Sequence, residues 1–144
     1  MIIDDLQLTG ALQISLNNEI VHQCDNLVVN AGKNWVAGSF KDGSIPDEMS
    51  HMAIGSADTA AAAGNTALAT ELNRIALTTD GGTVSTNTVQ YDASWTSAAA
   101  AYAIKEAGIF NAASGGTMLA RTTFAVINKG TDDTVSISWT ITVS

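Results

Sequence analysis

The clearest pattern in the chain is a strict alternation of apolar and polar residues near its C-terminus. Between positions 134 and 144 the apolar residues are Val135, Ile137, Trp139, Ile141 and Val143, and the polar residues between them are Ser136, Ser138, Thr140 and Thr142. A period of two predicts a β-strand with one buried face. Residues 118–128 are also strand-like, and the intervening residues 129–133 are rich in turn-forming types. The sequence therefore predicts that the chain closes with a β-hairpin.

Similar strand-like runs recur between turn signals along the rest of the chain. Residues 8–16 and 20–29 predict an N-terminal hairpin that turns at Asn17 and Asn18. Residues 30–40 predict a short helix whose first amides are capped by Asn30. The pattern then predicts an alanine-rich surface loop over 56–65, a turn of helix running into a strand over 66–79, and a loop over 80–86. Further strands are predicted over 51–55, 89–95 and 98–110.

These elements predict a mainly β fold with one short helix. Seven or eight strands with frequent turns and no strand-helix-strand repeat are typical of an antiparallel β-sandwich, or jelly-roll-like domain. A chain of 144 residues is long enough to form one such domain over 1–144 without disulfides. Residues 1–8 are predicted to be a possible partner-binding arm of that domain, because the apolar Ile2, Ile3 and Leu6 lie at a chain end that would otherwise fray.

Charge and composition narrow the classes of partner. The chain carries 6 basic and 14 acidic residues, a net charge of −8, which argues against nucleic acid and against an anionic membrane surface. Only 14% of the residues are charged while 46% are hydrophobic, so the polar surface must consist largely of uncharged side chains that pack closely against protein neighbours. No secretory signal is recognised and the single Cys24 forms no internal disulfide, so synthesis in the cytosol is expected.

The sequence contains no catalytic motif that we recognise. His22 and His51 have no further ligands at zinc-binding spacing, no serine lies in a glycine-flanked nucleophile elbow, and the glycine pairs lie outside phosphate-binding motifs. We therefore expect a protein that is not an enzyme and that binds no metal or cofactor. A carbohydrate-binding domain that stacks a sugar on Trp35 or Trp95 is the alternative from another class.

Three charged residues fall within apolar, strand-like segments: Glu106, Arg74 and Arg121. A charge there must either be paired or face solvent. One interpretation is a structural ion pair in which Glu106 bridges Arg121 or Arg74 and fixes strand register. The other is that each side chain faces water on the outer surface of the sheet, since alternate strand positions are exposed.

Five short segments resemble small virion proteins of tailed bacteriophages. They are NAGKNWVA at 30–37, HMAIG at 51–55, TALATELNR at 66–74, IKEAGIF at 104–110 and MLARTTF at 118–124. The resemblance covers roughly residues 26–144 and implies a capsid decoration or cement protein, with a tail-fibre or baseplate module as the close alternative. It implies that the major capsid protein is the partner and that the protein lies on the outer capsid surface after synthesis in the bacterial cytoplasm.

Two further expectations concern contacts. Symmetric sites on a capsid and a surface of low charge predict a homo-oligomer, either a dimer or a trimer. Ile2, Ile3 and Leu6 are the candidate contacts with the capsid.

Overall fold

The computed structural model describes residues 5–41 and 47–144. Within these residues the chain forms nine strands and one helix. The helix is α1 (Asn30–Gly38), and the strands are β1 (Leu8–Leu16), β2 (Glu19–Val28), β3 (His51–Gly55), β4 (Glu71–Ala76), β5 (Thr83–Ser85), β6 (Thr88–Trp95), β7 (Tyr102–Phe110), β8 (Met118–Lys129) and β9 (Val135–Val143).

All nine strands belong to one antiparallel sheet that curls strongly into a half-barrel. Their order across the sheet is β4-β3-β7-β8-β2-β1-β9-β6-β5. The mainly β class with one short helix is as predicted, but the two-sheet sandwich is wrong. Strands β2 and β8 pair only at Leu27 with Arg121 and at Val28 with Ala120. Because this junction is so short, the single sheet bends there and folds over its own core.

The predicted closing hairpin is also wrong, although both of its strands exist. Strand β8 pairs with β7 and β2, whereas β9 pairs with β1 and β6. The β1–β2 hairpin lies between them, and the β8–β9 connection crosses its turn. Asn17 Nδ2 donates to Asp133 Oδ1 at 2.9 Å, and the Thr134 N–H donates to Asn17 Oδ1 at 2.9 Å. The connection is therefore fastened to the hairpin that separates its two strands.

The turn of that N-terminal hairpin is formed by Asn17 and Asn18. Their φ angles are +51° and +67°, in the left-handed region that asparagine tolerates better than most residues. Two consecutive positive φ values match the twist of a two-residue hairpin. The N-terminal hairpin is thus explained by its local sequence.

The half-barrel has an apolar core on its concave side and a smaller apolar cluster on its outer side. Fully buried residues of the core include Ile14, Trp95, Ile104, Ile137 and Trp139. The outer cluster consists of Val29, Ala53, Leu68, Phe110 and Met118. It lies on the β3-β7-β8 part of the sheet, where the loop of residues 56–70 and helix α1 cover it.

Three local predictions differ from the structure. Residues 66–70 form no helical turn, because Leu68 packs into the outer cluster while Leu72 is exposed, so the two do not share a helix face. Asn30 is the first residue of α1, not its cap, since Val29 holds the N-cap position and no side chain caps the helix. Part of the predicted loop over 80–86 forms the short edge strand β5.

Candidate functional site

Glu106 on β7 and Arg121 on β8 form an ion pair inside the protein. Arg121 Nη2 and Nε donate to Glu106 Oε2 at 2.8 and 3.1 Å. The Glu106 side chain is 0% exposed and the Arg121 side chain is 1% exposed. The structure therefore brings together two of the three charged residues singled out by the sequence, and neither faces water.

The remaining hydrogen bonds of this pair are to the loop of residues 56–70. The Glu106 carboxylate accepts from the backbone N–H groups of Ala57, Ala69 and Thr70 at 3.3, 3.0 and 2.7 Å. Arg121 donates to the Thr59 carbonyl at 2.9 Å and to Asn65 Oδ1 at 3.0 Å. Buried charges with this many partners hold the surrounding backbone in one arrangement. The ion pair thus clamps the alanine-rich loop to the sheet.

A β-bulge places Glu106 on the outer side of the sheet. Ile104 pairs with Ile127 and faces the core, and the register shifts before Glu106 pairs with Thr123. The shift lets Glu106 point away from the core even though it follows Ile104 by two positions. Gly55 makes room for the carboxylate, because a Cβ at this position would collide with Glu106 Oε1 and with the Thr70 carbonyl.

Arg74, the third charged residue, does not pair with Glu106. It forms an ion pair with Glu71 at 2.7 Å, and its guanidinium lies 3.7 Å from the centroid of the Phe110 ring. Arg74 Nη1 also donates to the carbonyls of Ala112 and Gly115 at 3.0 and 2.9 Å. Since Arg74 lies on β4, near the edge of the sheet, it reaches the loop of residues 111–117 and holds that loop in place.

Lys129 is a buried charge that the sequence pattern predicts to lie in a turn. It ends β8, is 2% exposed, and donates from Nζ to the carbonyls of Ala99, Ala100 and Gly130 at 3.4, 3.3 and 3.0 Å. Lys129 follows the buried Ile127 at the two-residue strand spacing, a signal that could have predicted its burial.

The four neighbouring strands β2, β1, β9 and β6 share an outer face of exposed or partly exposed, mostly polar residues. Across these strands, Gln23 lies beside Gln13, Gln13 beside Ser138, and Ser138 beside Asp92. We call this surface the polar face and define it by Ala11, Gln13, Ser15, Gln23, Asp25, Gln90, Asp92, Ser94, Ser136, Ser138 and Thr140.

The polar face is rich in hydrogen-bonding groups and poor in charge. Asp25 and Asp92 are its charged members, and its other groups are amides, hydroxyls and the Ala11 methyl. The exposed Ile20 lies beside Ser15 at one end of the face. Gln23 donates to Gln13 at 3.1 Å, and the Ser94 and Ser136 hydroxyls are 2.8 Å apart. A shallow depression surrounds Ala11, the smallest side chain of the face. Such a surface can dock against another protein without desolvating many charges.

An apolar groove lies where β1, β9 and α1 meet. Its volume is about 660 Å³, and it is lined by five apolar residues, Leu6, Leu8, Val36, Phe40 and Val143, together with Gln7, Lys33 and Ser39. Leu6 is 69% exposed and Phe40 is 79% exposed. Ile2 and Ile3, the other candidate capsid contacts, lie outside the described residues.

Cys24 and His22 lie close in sequence, but the structure gives them separate environments. Burial raises the pKa of the Cys24 thiol, which lies 3.7 Å from the Thr122 hydroxyl. The His22 ring packs on Phe124, with 5.5 Å between ring centroids. A thiol with a raised pKa is a poor nucleophile at neutral pH. Residues 5–41 and 47–144 contain no group of three or more His, Cys, Asp and Glu side chains placed to hold a metal ion.

The two tryptophans of the carbohydrate-binding alternative are placed differently. Trp95 is 1% exposed and donates its indole N–H to Asn73 Oδ1 at 3.0 Å, so it offers no face to a sugar. Trp35 is half-buried and donates its indole N–H to the Asp47 carbonyl at 2.8 Å.

The described part of the chain has no helix with the length and apolar character needed to cross a membrane.

No family model, curated protein or solved structure matches the chain.

Proposed function

We propose that this protein is a non-enzymatic structural component of a phage virion, a decoration or cement protein that binds the outer capsid surface and stabilises the shell. The polar face carries this proposal. It spans four strands, its residues are exposed or partly exposed, and it consists largely of hydroxyl and amide side chains around the centrally placed Gln13 and Ser138. Short hydroxyl side chains lose little conformational freedom on contact, which favours docking against coat subunits.

The other half of the sheet supports the proposal because hydrogen bonds fasten two of its loops. Glu106 and Arg121 fasten the loop of residues 56–70, and Arg74 fastens the loop of residues 111–117. A cement protein stabilises a shell only when its own fold resists the deformation that the shell undergoes. A protein that binds only the assembled shell lowers the free energy of that shell. Weak contacts then add up over the many copies on a particle.

The test uses capsids of a phage that encodes this chain, produced from a genome in which its reading frame is deleted. Purified full-length protein is added, and genome release is measured during heating and after osmotic shock. We expect added protein to bind the capsids and to raise the temperature of release. Capsids that bind the protein without becoming more resistant, or protein that attaches only to tails, would contradict the cement function and favour the tail-fibre or baseplate alternative.

A glycan-binding screen with the same protein distinguishes the cement function from the carbohydrate-binding alternative. Trp35→Ala is the matched variant, because Trp35 is the partly exposed one of the two candidate tryptophans. The cement function predicts capsid binding by Trp35→Ala equal to that of the wild type. Glycan binding that disappears in Trp35→Ala would contradict it.

A further inference from the structure

We propose that the apolar groove formed by Leu6, Leu8, Val36, Phe40 and Val143 receives residues 1–5 of a second copy of this chain, so that two copies exchange N-terminal arms. The inference goes beyond capsid binding, and it assigns Ile2 and Ile3 to contact between copies instead of contact with the capsid. An arm-exchanged dimer that binds no capsid would refute the cement function alone.

The first argument is the distribution of basic side chains. Four of the six have partners within the fold: Arg74 with Glu71, Lys105 with Asp58, Arg121 with Glu106, and Lys129 with three carbonyls. The other two are Lys33, in the lining of the groove, and Lys41, which follows Phe40. Both are exposed, and no carboxylate of residues 5–41 and 47–144 lies within 4 Å of either.

The second argument is the chemistry that would complement such a groove. In a chain of net charge −8, a largely apolar groove with the exposed Lys33 in its lining fits a segment that is both apolar and acidic. Residues 1–5 are Met-Ile-Ile-Asp-Asp, which supplies two large apolar side chains and two carboxylates. Ile2 and Ile3 would fill the groove while Asp4 and Asp5 approach Lys33.

The third argument concerns reach. Leu6 itself lines the groove, and the Gln7 N–H donates to the Ser144 carbonyl at 2.8 Å, which fixes the point where the arm leaves the sheet. Ile3 is three residues before Leu6, an extended span of about 10 Å. The hydrogen bonds between Gln7 and Ser144 continue the β1–β9 pairing, so an arm that stays extended carries Ile3 beyond the end of β9. A second copy can present such an arm to the groove, and a reciprocal exchange closes a dimer.

A disulfide trap tests the exchange directly. Ile3→Cys and Val36→Cys are combined in a Cys24→Ser background, and dilute full-length protein is oxidised and run on a non-reducing gel. We expect a covalent dimer in which peptide mapping links position 3 to position 36. Single-cysteine controls should give much less dimer. A disulfide within one chain, or the absence of any link between these positions, would overturn the proposal.

A charge reversal tests the same contact without cysteines. Lys33→Glu should raise the dimer dissociation constant about tenfold in sedimentation, and combining it with Asp4→Lys and Asp5→Lys should restore most of the loss. Lys105→Glu, which lies on β7, is the matched control and should leave the dissociation constant unchanged. A monomeric wild type, or equal effects of the two single reversals, would contradict the exchange.

Discussion

The Arg121 guanidinium donates two hydrogen bonds to one oxygen of the Glu106 carboxylate, at 2.8 and 3.1 Å, with both side chains shielded from water. This pair joins adjacent strands and, through its remaining hydrogen bonds, holds the loop that covers the outer cluster. Its energetic role is therefore tied to burial, because breaking a buried pair leaves an uncompensated charge.

Replacing Glu106 should destabilise the protein strongly. We expect Glu106→Gln to lower the free energy of unfolding by about 3 kcal/mol, since Arg121 then keeps its charge in a dry site. Urea unfolding measures the change. Combining it with Arg121→Met should lose less than the sum of the two single changes because the side chains are in contact.

Glu71→Gln is the matched control for that substitution. Glu71 is also paired with an arginine, but its side chain is 35% exposed. Glu71 is partly exposed, and Arg74 keeps its hydrogen bonds to the Ala112 and Gly115 carbonyls, so the loss should be smaller than at Glu106. Strictly additive losses at Glu106 and Arg121, or a loss at Glu71 equal to that at Glu106, would show that the buried pair is not the clamp.

Gly55→Ala should also release the clamped loop. A Cβ at Gly55 collides with the Glu106 carboxylate and the Thr70 carbonyl, and overpacking of this kind costs about 1–3 kcal/mol. We expect a lower melting temperature and faster proteolysis within residues 56–70. Gly64→Ala, in the same loop, is the control, because no heavy atom lies within 4 Å of its added Cβ. Equal effects at the two glycines would contradict this account.

The loss of stability on acidification should depend in part on Asp133. The Asn17 amide, the Gly130 N–H and the charge of Lys129 lower the pKa of the Asp133 carboxyl below its ordinary value of 3.8. A depressed pKa in the folded state stabilises the fold above the unfolded-state pKa, and the contribution disappears as the pH falls through the folded-state pKa.

Asp133→Asn should therefore be less stable than the wild type at neutral pH, and the difference should shrink below about pH 4. Thermal unfolding between pH 7 and pH 2 measures it. The control is the neighbouring Asp132→Asn, which should match the wild type at neutral pH. A difference at Asp133 that stays constant with pH would contradict the assigned hydrogen bonds.

If the polar face is the contact with the capsid, a substitution there should weaken capsid binding without lowering the stability of the fold. Ser138 lies at its centre, between Gln13 and Asp92 on the flanking strands. Ser138→Arg adds bulk and charge there and should change the free energy of unfolding by no more than about 0.5 kcal/mol. Capsid binding should weaken at least tenfold, measured by co-sedimentation with capsids. Thr66→Arg, on the exposed loop of the other half, should bind normally; equal binding by both variants would exclude the polar face as the contact.

The sequence predicted the strands well where the pattern is local. The alternation over β9 and the Asn17–Asn18 turn need only neighbouring residues to be interpreted. The partners of β8 and β9, by contrast, depend on residues that are distant in the sequence. Crossing from β8 over β2 and β1 to β9 takes three strand spacings, about 14 Å. The five residues between Lys129 and Val135 can span about 17 Å, so loop length does not distinguish a hairpin from this crossing.

The candidate site was also predictable only where the signal is local in the sequence. Apolar flanks marked Glu106 and Arg121 as charges needing partners, but Arg74 carried the same signal and pairs with Glu71 instead. Which arginine reaches Glu106 depends on the β7–β8 register and on the bulge after Ile104. The alternation of polar residues in each strand predicts one polar side for that strand. The width of the polar face, however, follows from the strand order β2-β1-β9-β6.

A cryo-electron microscopy reconstruction of the particle tests the central claim most directly. A phage that encodes this chain is imaged beside a mutant that lacks its reading frame, and the two maps are subtracted. The account predicts difference density that repeats over the outer capsid with the symmetry of the shell and that fits the half-barrel, with Gln13 and Ser138 of the polar face against the coat subunits. Difference density confined to the tail, or two identical maps, would contradict it.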